Sequence, residues 1–128
     1  MMVLMIMPPT RSLLLLGLTI ALAGTTGASP AARQQKPQVV NISVERFSFT
    51  PSEFRVKAGT PIEIRLRSDD TDHGFRIIGT DVNITIPKRG KGVATVTFTP
   101  PTPGKYTFEC SKLCGAGHSF MRGTFIAE

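Results

Sequence analysis

Both cysteines of the chain and one of its two histidines fall within a single short stretch. It runs Cys110-Ser111-Lys112-Leu113-Cys114-Gly115-Ala116-Gly117-His118-Ser119-Phe120-Met121. The other histidine, His73, sits in Asp72-His73-Gly74-Phe75, and the remaining methionines all lie within residues 1–7. Beyond that first segment, every sulfur and every imidazole therefore belongs to one set. Thiolate and thioether ligands beside imidazole select copper over magnesium, calcium or manganese. Zinc is the rival, because it accepts Cys and His, although it seldom recruits a thioether. A mononuclear blue-copper site needs one Cys, two His and a weak axial Met. Here a second thiolate is present, and two thiolates four residues apart in a loop can bridge two copper ions held close together. Each ion then needs one imidazole and one weaker donor. His73 and His118 meet the first need, and Met121 meets half of the second. A backbone carbonyl inside the Cys loop meets the other half. The plainer alternatives are a Cys110–Cys114 disulfide, the default for an exported pair, with Met121 as packing and His73 as an ordinary polar residue.

The elements that position these residues read as strands. Ile62, Ile64 and Leu66 alternate with Glu63, Arg65 and Arg67, the period of a strand buried on one face. Phe54 and Val56, then Ala94, Val96 and Phe98, then Tyr106, Phe108 and Cys110 repeat the pattern. Breakers separate the runs at Thr50-Pro51, Ala58-Gly59, Gly79, Pro87 to Gly92 and Pro100 to Gly104. No stretch after residue 38 has helical spacing. About seven or eight short strands are expected, forming an all-β antiparallel sandwich or barrel. Cys110 is in phase with Phe108, so its sulfur is expected to point inward; His73 is in phase with Phe75 and Ile77. Gly115 and Gly117 are expected to let the loop turn tightly. A rigid sandwich end would hold the ligands nearly fixed between oxidation states, which suits electron transfer. No nucleophile or acid–base pair stands out, so the chain is not expected to hold a catalytic site of its own.

The 128 residues suffice for one domain, with 41% hydrophobic and 19% charged residues. Trp is absent and Tyr occurs once, which argues against stacked bases and hence against a nucleic-acid partner. Residues 1–28 have the order of a secretory signal: Arg11, an apolar run from Leu13 to Ala23, then small residues through Ala28. The run is shorter than the roughly 20 residues that span a bilayer. Cleavage after Ala23 or Ala28 is expected, an uncleaved anchor being the alternative. Residues 29–37 read as a polar tail and 38–128 as the domain. The protein is thus expected to be exported, in the periplasm or on the outer face of the cytoplasmic membrane. The net charge of +6 reads as solvated strand faces, or as a docking surface for an acidic partner.

The pattern Cys-Ser-x-Leu-Cys-Gly-x-Gly-His-x-x-Met, with His73-Gly74-Phe75 upstream, carries a resemblance. It resembles the cupredoxin-type dinuclear copper (CuA) domain of cytochrome c oxidase subunit II. The likeness runs over about residues 38–128, from Phe47-Ser48-Phe49-Thr50-Pro51 to Gly123-Thr124. The Gly-x-Gly-His form is similar to the ba3-type branch. The resemblance implies a cupredoxin-like Greek-key sandwich in which Cys110 and Cys114 bridge two coppers. It implies that His73 and Met121 complete one ion, while His118 and the main-chain carbonyl of Lys112 complete the other. Electrons would come from a cytochrome c or small cupredoxin and leave, on the His118 side, toward a haem in an oxidase catalytic subunit. Three departures stand out. Lys112 replaces the family's magnesium-binding Glu, the usual Trp that receives electrons is missing, and a short leader stands where long membrane helices are usual. A free periplasmic carrier is therefore an alternative to an oxidase subunit, and a copper delivery or storage protein is a third.

Overall fold

Alternation of apolar and polar side chains becomes nine strands in the computed structural model, which describes residues 35–128. The expected signal segment, residues 1–28, and most of the polar tail lie outside the described residues. The strands are β1 (Gln38–Glu45), β2 (Ser48–Thr50), β3 (Glu53–Val56), β4 (Ile62–Ser68) and β5 (His73–Ile77), followed by β6 (Asn83–Ile86), β7 (Ala94–Phe98), β8 (Gly104–Glu109) and β9 (Arg122–Ala127). A single 3-10 turn, His118–Phe120, is the only helical element among the described residues. Four strands form one sheet in the order β2-β1-β4-β7, and five form the other in the order β3-β9-β8-β5-β6. The chain passes repeatedly between the sheets, so sequence neighbours are often not sheet neighbours. This is the interlocked wiring expected of a Greek-key sandwich.

Two details differ from the sequence expectation. Among the described residues there are nine strands where seven or eight were expected, and β2 and β3, on either side of the expected break at Thr50-Pro51, join different sheets. The sheets are also not purely antiparallel: β1 pairs with β4, and β3 with β9, in parallel. Period-two alternation tells which face of a strand is buried, but says nothing about the direction of its neighbour.

Ile42, Val44, Ile62, Ile64 and Leu66 project from the first sheet and are at most 2% exposed. They meet an aromatic layer from the second. Within that layer Phe108 lies 5.3 Å from Phe75, ring centre to ring centre, and Phe125 stacks on Phe54 and Tyr106 at 5.2 and 5.0 Å, while Phe49 of the first sheet meets Phe108 edge-on at 5.2 Å. Pairs of this kind add about 0.5–1.5 kcal/mol each beyond the area they bury. Gly123 is dictated by this layer, since a Cβ there would lie 2.4 Å from both Phe108 Cζ and the Ser52 carbonyl. The result is a stiff floor. Cys110 emerges two residues after Phe108, and Met121 two residues before Gly123.

Candidate metal centre

The floor fixes where the sulfur ligands begin. The Cys110 N–H donates to the Met121 carbonyl at 3.0 Å, extending the β8–β9 pairing by one rung past Glu109 and Arg122. Cys110 and Met121 are thereby held side by side at the mouth of a loop that carries Cys114 and His118. All three sulfur residues are buried, at 4%, 6% and 1% exposure for Cys110, Cys114 and Met121. His73 comes from elsewhere, as the first residue of β5 opposite Ile86, and is fully buried.

Every residue singled out in the sequence has a donor atom at this one place. The two Sγ atoms are 3.7 Å apart, and both cysteines are free thiols, so the disulfide alternative is not the state observed. His73 Nδ1 lies 3.9 Å from Cys110 Sγ, and His118 Nδ1 lies 3.7 Å from Cys114 Sγ. Met121 Sδ is 3.7 Å from Cys114 Sγ, and the Lys112 carbonyl oxygen is 3.1 Å from Cys110 Sγ. His73, Cys110 and Cys114 alone form a buried cluster with its ligand atoms all within 4.8 Å. Soft sulfur and borderline nitrogen dominate, and no carboxylate oxygen joins that cluster. A donor set of that kind fits a soft or borderline transition metal and not a hard one.

Burial and the neighbouring Cys110 together push the Cys114 thiol up to about 11. A thiol is the form that a buried, metal-free sulfur prefers, because the charged thiolate is poorly solvated there. The tertiary structure adds residues that the sequence did not single out. His73 Nε2 is 2.7 Å from Asp70 Oδ1, and Asp70 Oδ2 accepts the Arg46 N–H at 2.8 Å. Burial pushes the Asp70 carboxyl up, but these hydrogen bonds from His73 and Arg46 outweigh it and hold the group below its ordinary value. With Nε2 turned to the Asp70 carboxylate, Nδ1 is the ring nitrogen that faces the sulfur. Ser68, 1% exposed, shapes the loop by donating to the Thr71 carbonyl and accepting the Asp70 N–H.

The Cys loop is fastened on its other sides as well. Arg46 Nε donates to the Cys114 carbonyl at 2.8 Å, Lys112 Nζ pairs with Asp72 at 3.1 Å, and Ser111 Oγ donates to Asn83 at 2.7 Å. Gly74 is required by close approach, because a Cβ would sit 2.2 Å from Ser111 Oγ and 2.6 Å from the Lys112 nitrogen. The expected turning role of the loop glycines holds only in part. Gly115 has φ 147°, but Gly117 has φ −88°, which any residue can adopt. What requires glycine at 117 is the Phe47 ring, 2.4 Å from where a Cβ would stand. The run Asp69-Asp70-Thr71-Asp72-His73 is a signal from which a carboxylate partner for His73 could have been sought, though not which one. Nothing local pointed to Arg46 or Phe47, which arrive from the β1–β2 turn.

Comparisons with known proteins place the chain in a family and support its fold. A family profile described as cupredoxin-like domain matches residues 14–127. Cytochrome c oxidase subunit 2 of Thermus thermophilus is 35% identical over 82 residues, covering 64% of this chain and 59% of that protein. Nitrous-oxide reductase of Ralstonia nicotianae is 30% identical over 104 residues, covering 78% of this chain and 16% of that one. The chain thus spans little more than half of the first relative and a small part of the second. Among solved structures, the periplasmic domain of subunit II of cytochrome oxidase from Bradyrhizobium japonicum superposes with a TM-score of 0.65 at 16% identity. That match covers 74% of this chain and 87% of that domain, and it speaks to the fold. Among the described residues, no helix is long and apolar enough to cross a membrane.

Proposed function

The chain belongs to the cupredoxin-like domain family, and we propose that it is an electron-transfer protein whose centre is a pair of copper ions bridged by Cys110 and Cys114. One observation carries this reading. Two buried free thiols stand 3.7 Å apart, and each faces the Nδ1 of a different histidine. A mononuclear blue-copper site, with one Cys, two His and a Met, would leave one sulfur without a role. His73 and Met121 would complete one ion, and His118 with the Lys112 carbonyl the other. Bound there, the copper pair supplies a one-electron couple shared between two ions.

The protein's own contribution is to hold the donors still and dry. Asp70 fixes the ring of His73, Arg46 and Lys112 tie down the two ends of the Cys loop, and Phe47 covers its glycines. Such a prearranged set needs little movement when its charge changes, as rapid electron exchange demands. His73 is sealed inside, whereas His118 is half-buried and reaches the surface. We place the protein outside the cytoplasm, exported by residues 1–28 as a cleaved signal or a retained anchor. It takes electrons from a cytochrome c or small cupredoxin and gives them to a haem-containing oxidase subunit. Any oxidase activity belongs to that complex.

The test is copper stoichiometry and electron paramagnetic resonance on the copper-loaded full chain. Two ions per chain, with a hyperfine pattern from one electron shared equally by two nuclei, are expected. A single ion, or zinc bound in preference, would overturn the reading. Retention of both ions through redox cycles in the presence of a chelator separates a carrier from a copper delivery or storage protein.

A further inference from the structure

The loop between β6 and β7 presents three cations on a turn fastened to the metal end of the sandwich. Lys88, Arg89 and Lys91 are all exposed, and among the described residues none of their side chains joins an ion pair. The nearby carboxylates, by contrast, are engaged: Asp69 with Arg67, Asp70 with His73 and Asp72 with Lys112. The turn is not a loose tail. Lys88 N–H donates to Asp72 Oδ1 at 2.7 Å, Arg89 N–H to the Asp70 carbonyl at 3.0 Å, and Lys91 N–H to the Lys88 carbonyl at 3.0 Å. Asp70 and Asp72 both lie in the segment that leads into His73, so the turn carrying the cations is fastened beside the centre. The same end exposes Leu113 and Phe120, at 80% and 83%.

Three exposed cations on a fastened turn, tied through Asp72 and Lys112 to the loop that bares Leu113 and Phe120, make an incomplete interface. Charge complementarity of this kind steers a partner and sets its orientation, while apolar side chains supply the contact at its middle. We propose that Lys88, Arg89 and Lys91 form the docking surface for an acidic, soluble one-electron carrier, which binds over Leu113 and Phe120. The proposal names the donor for the centre described above and rests on that reading. An anionic membrane surface, which also attracts cations set beside exposed apolar side chains, is the competing occupant that the vesicle probe below tests.

The experiment measures binding of the full chain, metal-free and copper-loaded, to three probes: an acidic plastocyanin, the basic mitochondrial cytochrome c, and phosphatidylglycerol vesicles. Plastocyanin should bind, with affinity falling about tenfold or more between about 20 and 200 mM salt. The triple variant Lys88→Gln, Arg89→Gln, Lys91→Gln should lose about tenfold at low salt. The turn's anchoring bonds come from backbone N–H groups, so this variant keeps its loop. The pair Lys57→Gln and Lys105→Gln, at the opposite end, should change nothing. Equal affinity for the basic cytochrome, an unchanged triple variant, or binding to vesicles but not to plastocyanin would each overturn the proposal. Binding to the metal-free chain is read independently of copper. Loss of docking with an intact two-nucleus spectrum therefore rejects this proposal alone, and the converse rejects only the copper pair.

Discussion

Asp70 and His73 are joined by a 2.7 Å hydrogen bond from Nε2 to Oδ1, while Nδ1 of the same ring faces Cys110 Sγ at 3.9 Å. One carboxylate thus decides which nitrogen is free to act as a ligand. Asp70→Asn should keep the fold but loosen copper by about 10–100-fold, read by competition with a chelator of known affinity. An unchanged affinity would mean that burial alone orients the ring.

Cys110→Ser and Cys114→Ser should each abolish the signal of an electron shared by two nuclei. A variant whose visible and paramagnetic spectra match the parent's would remove that sulfur from the bridge. Met121→Leu should retain copper and shift the reduction potential, because a thioether is a weak donor. Voltammetry beside metal analysis reads both effects, and complete loss of copper would promote Met121 to an essential ligand.

Gly74→Ala would drive a methyl group into Ser111 and the Lys112 backbone, 2.2 and 2.6 Å away. The loop must move, so metal affinity should fall sharply while stability drops by about 1–3 kcal/mol. Phe108→Ala, in the aromatic floor, should instead cost about 3–5 kcal/mol in chemical denaturation.

The Cys114 thiol carries a pH prediction for the metal-free, reduced protein. Folding lifts its pKa from the ordinary 9.0 to about 11, so the native state holds that proton more tightly than the unfolded chain does. The resulting stabilisation is whole below pH 9 and is lost as pH rises through about 11. Denaturant midpoints should decline across that window, and Cys114→Ser should flatten the decline. Copper binding, which needs thiolates, should release protons and tighten as pH rises toward 9.

Much of the site was legible because its chemistry is written in residue types. Two cysteines, a histidine and a methionine at loop spacing, with one distant histidine, leave few donors to choose among. Alternation gave the buried faces of β4, β5 and β8, and hence the inward direction of His73 and Cys110. The parallel pairing of β1 with β4 was hidden, since a period reports one strand's environment and not its neighbour's heading. Arg46 and Phe47 were hidden for the same reason. They touch the Cys loop from nearly seventy residues away, and no local pattern marks a contact of that span.

By itself, then, the sequence determined which atoms can bind metal and that strands must carry them, because ligand softness and the two-residue period are properties of residues and their order. The tertiary structure alone decided that both thiols stand 3.7 Å apart with a separate imidazole each, that Asp70 of three nearby aspartates holds His73, and that a cationic turn is fastened beside them. Those relations arise where β5, the β8–β9 loop and the β6–β7 turn converge. Convergence of segments far apart in the chain is a product of packing two sheets face to face, and no segment encodes it alone.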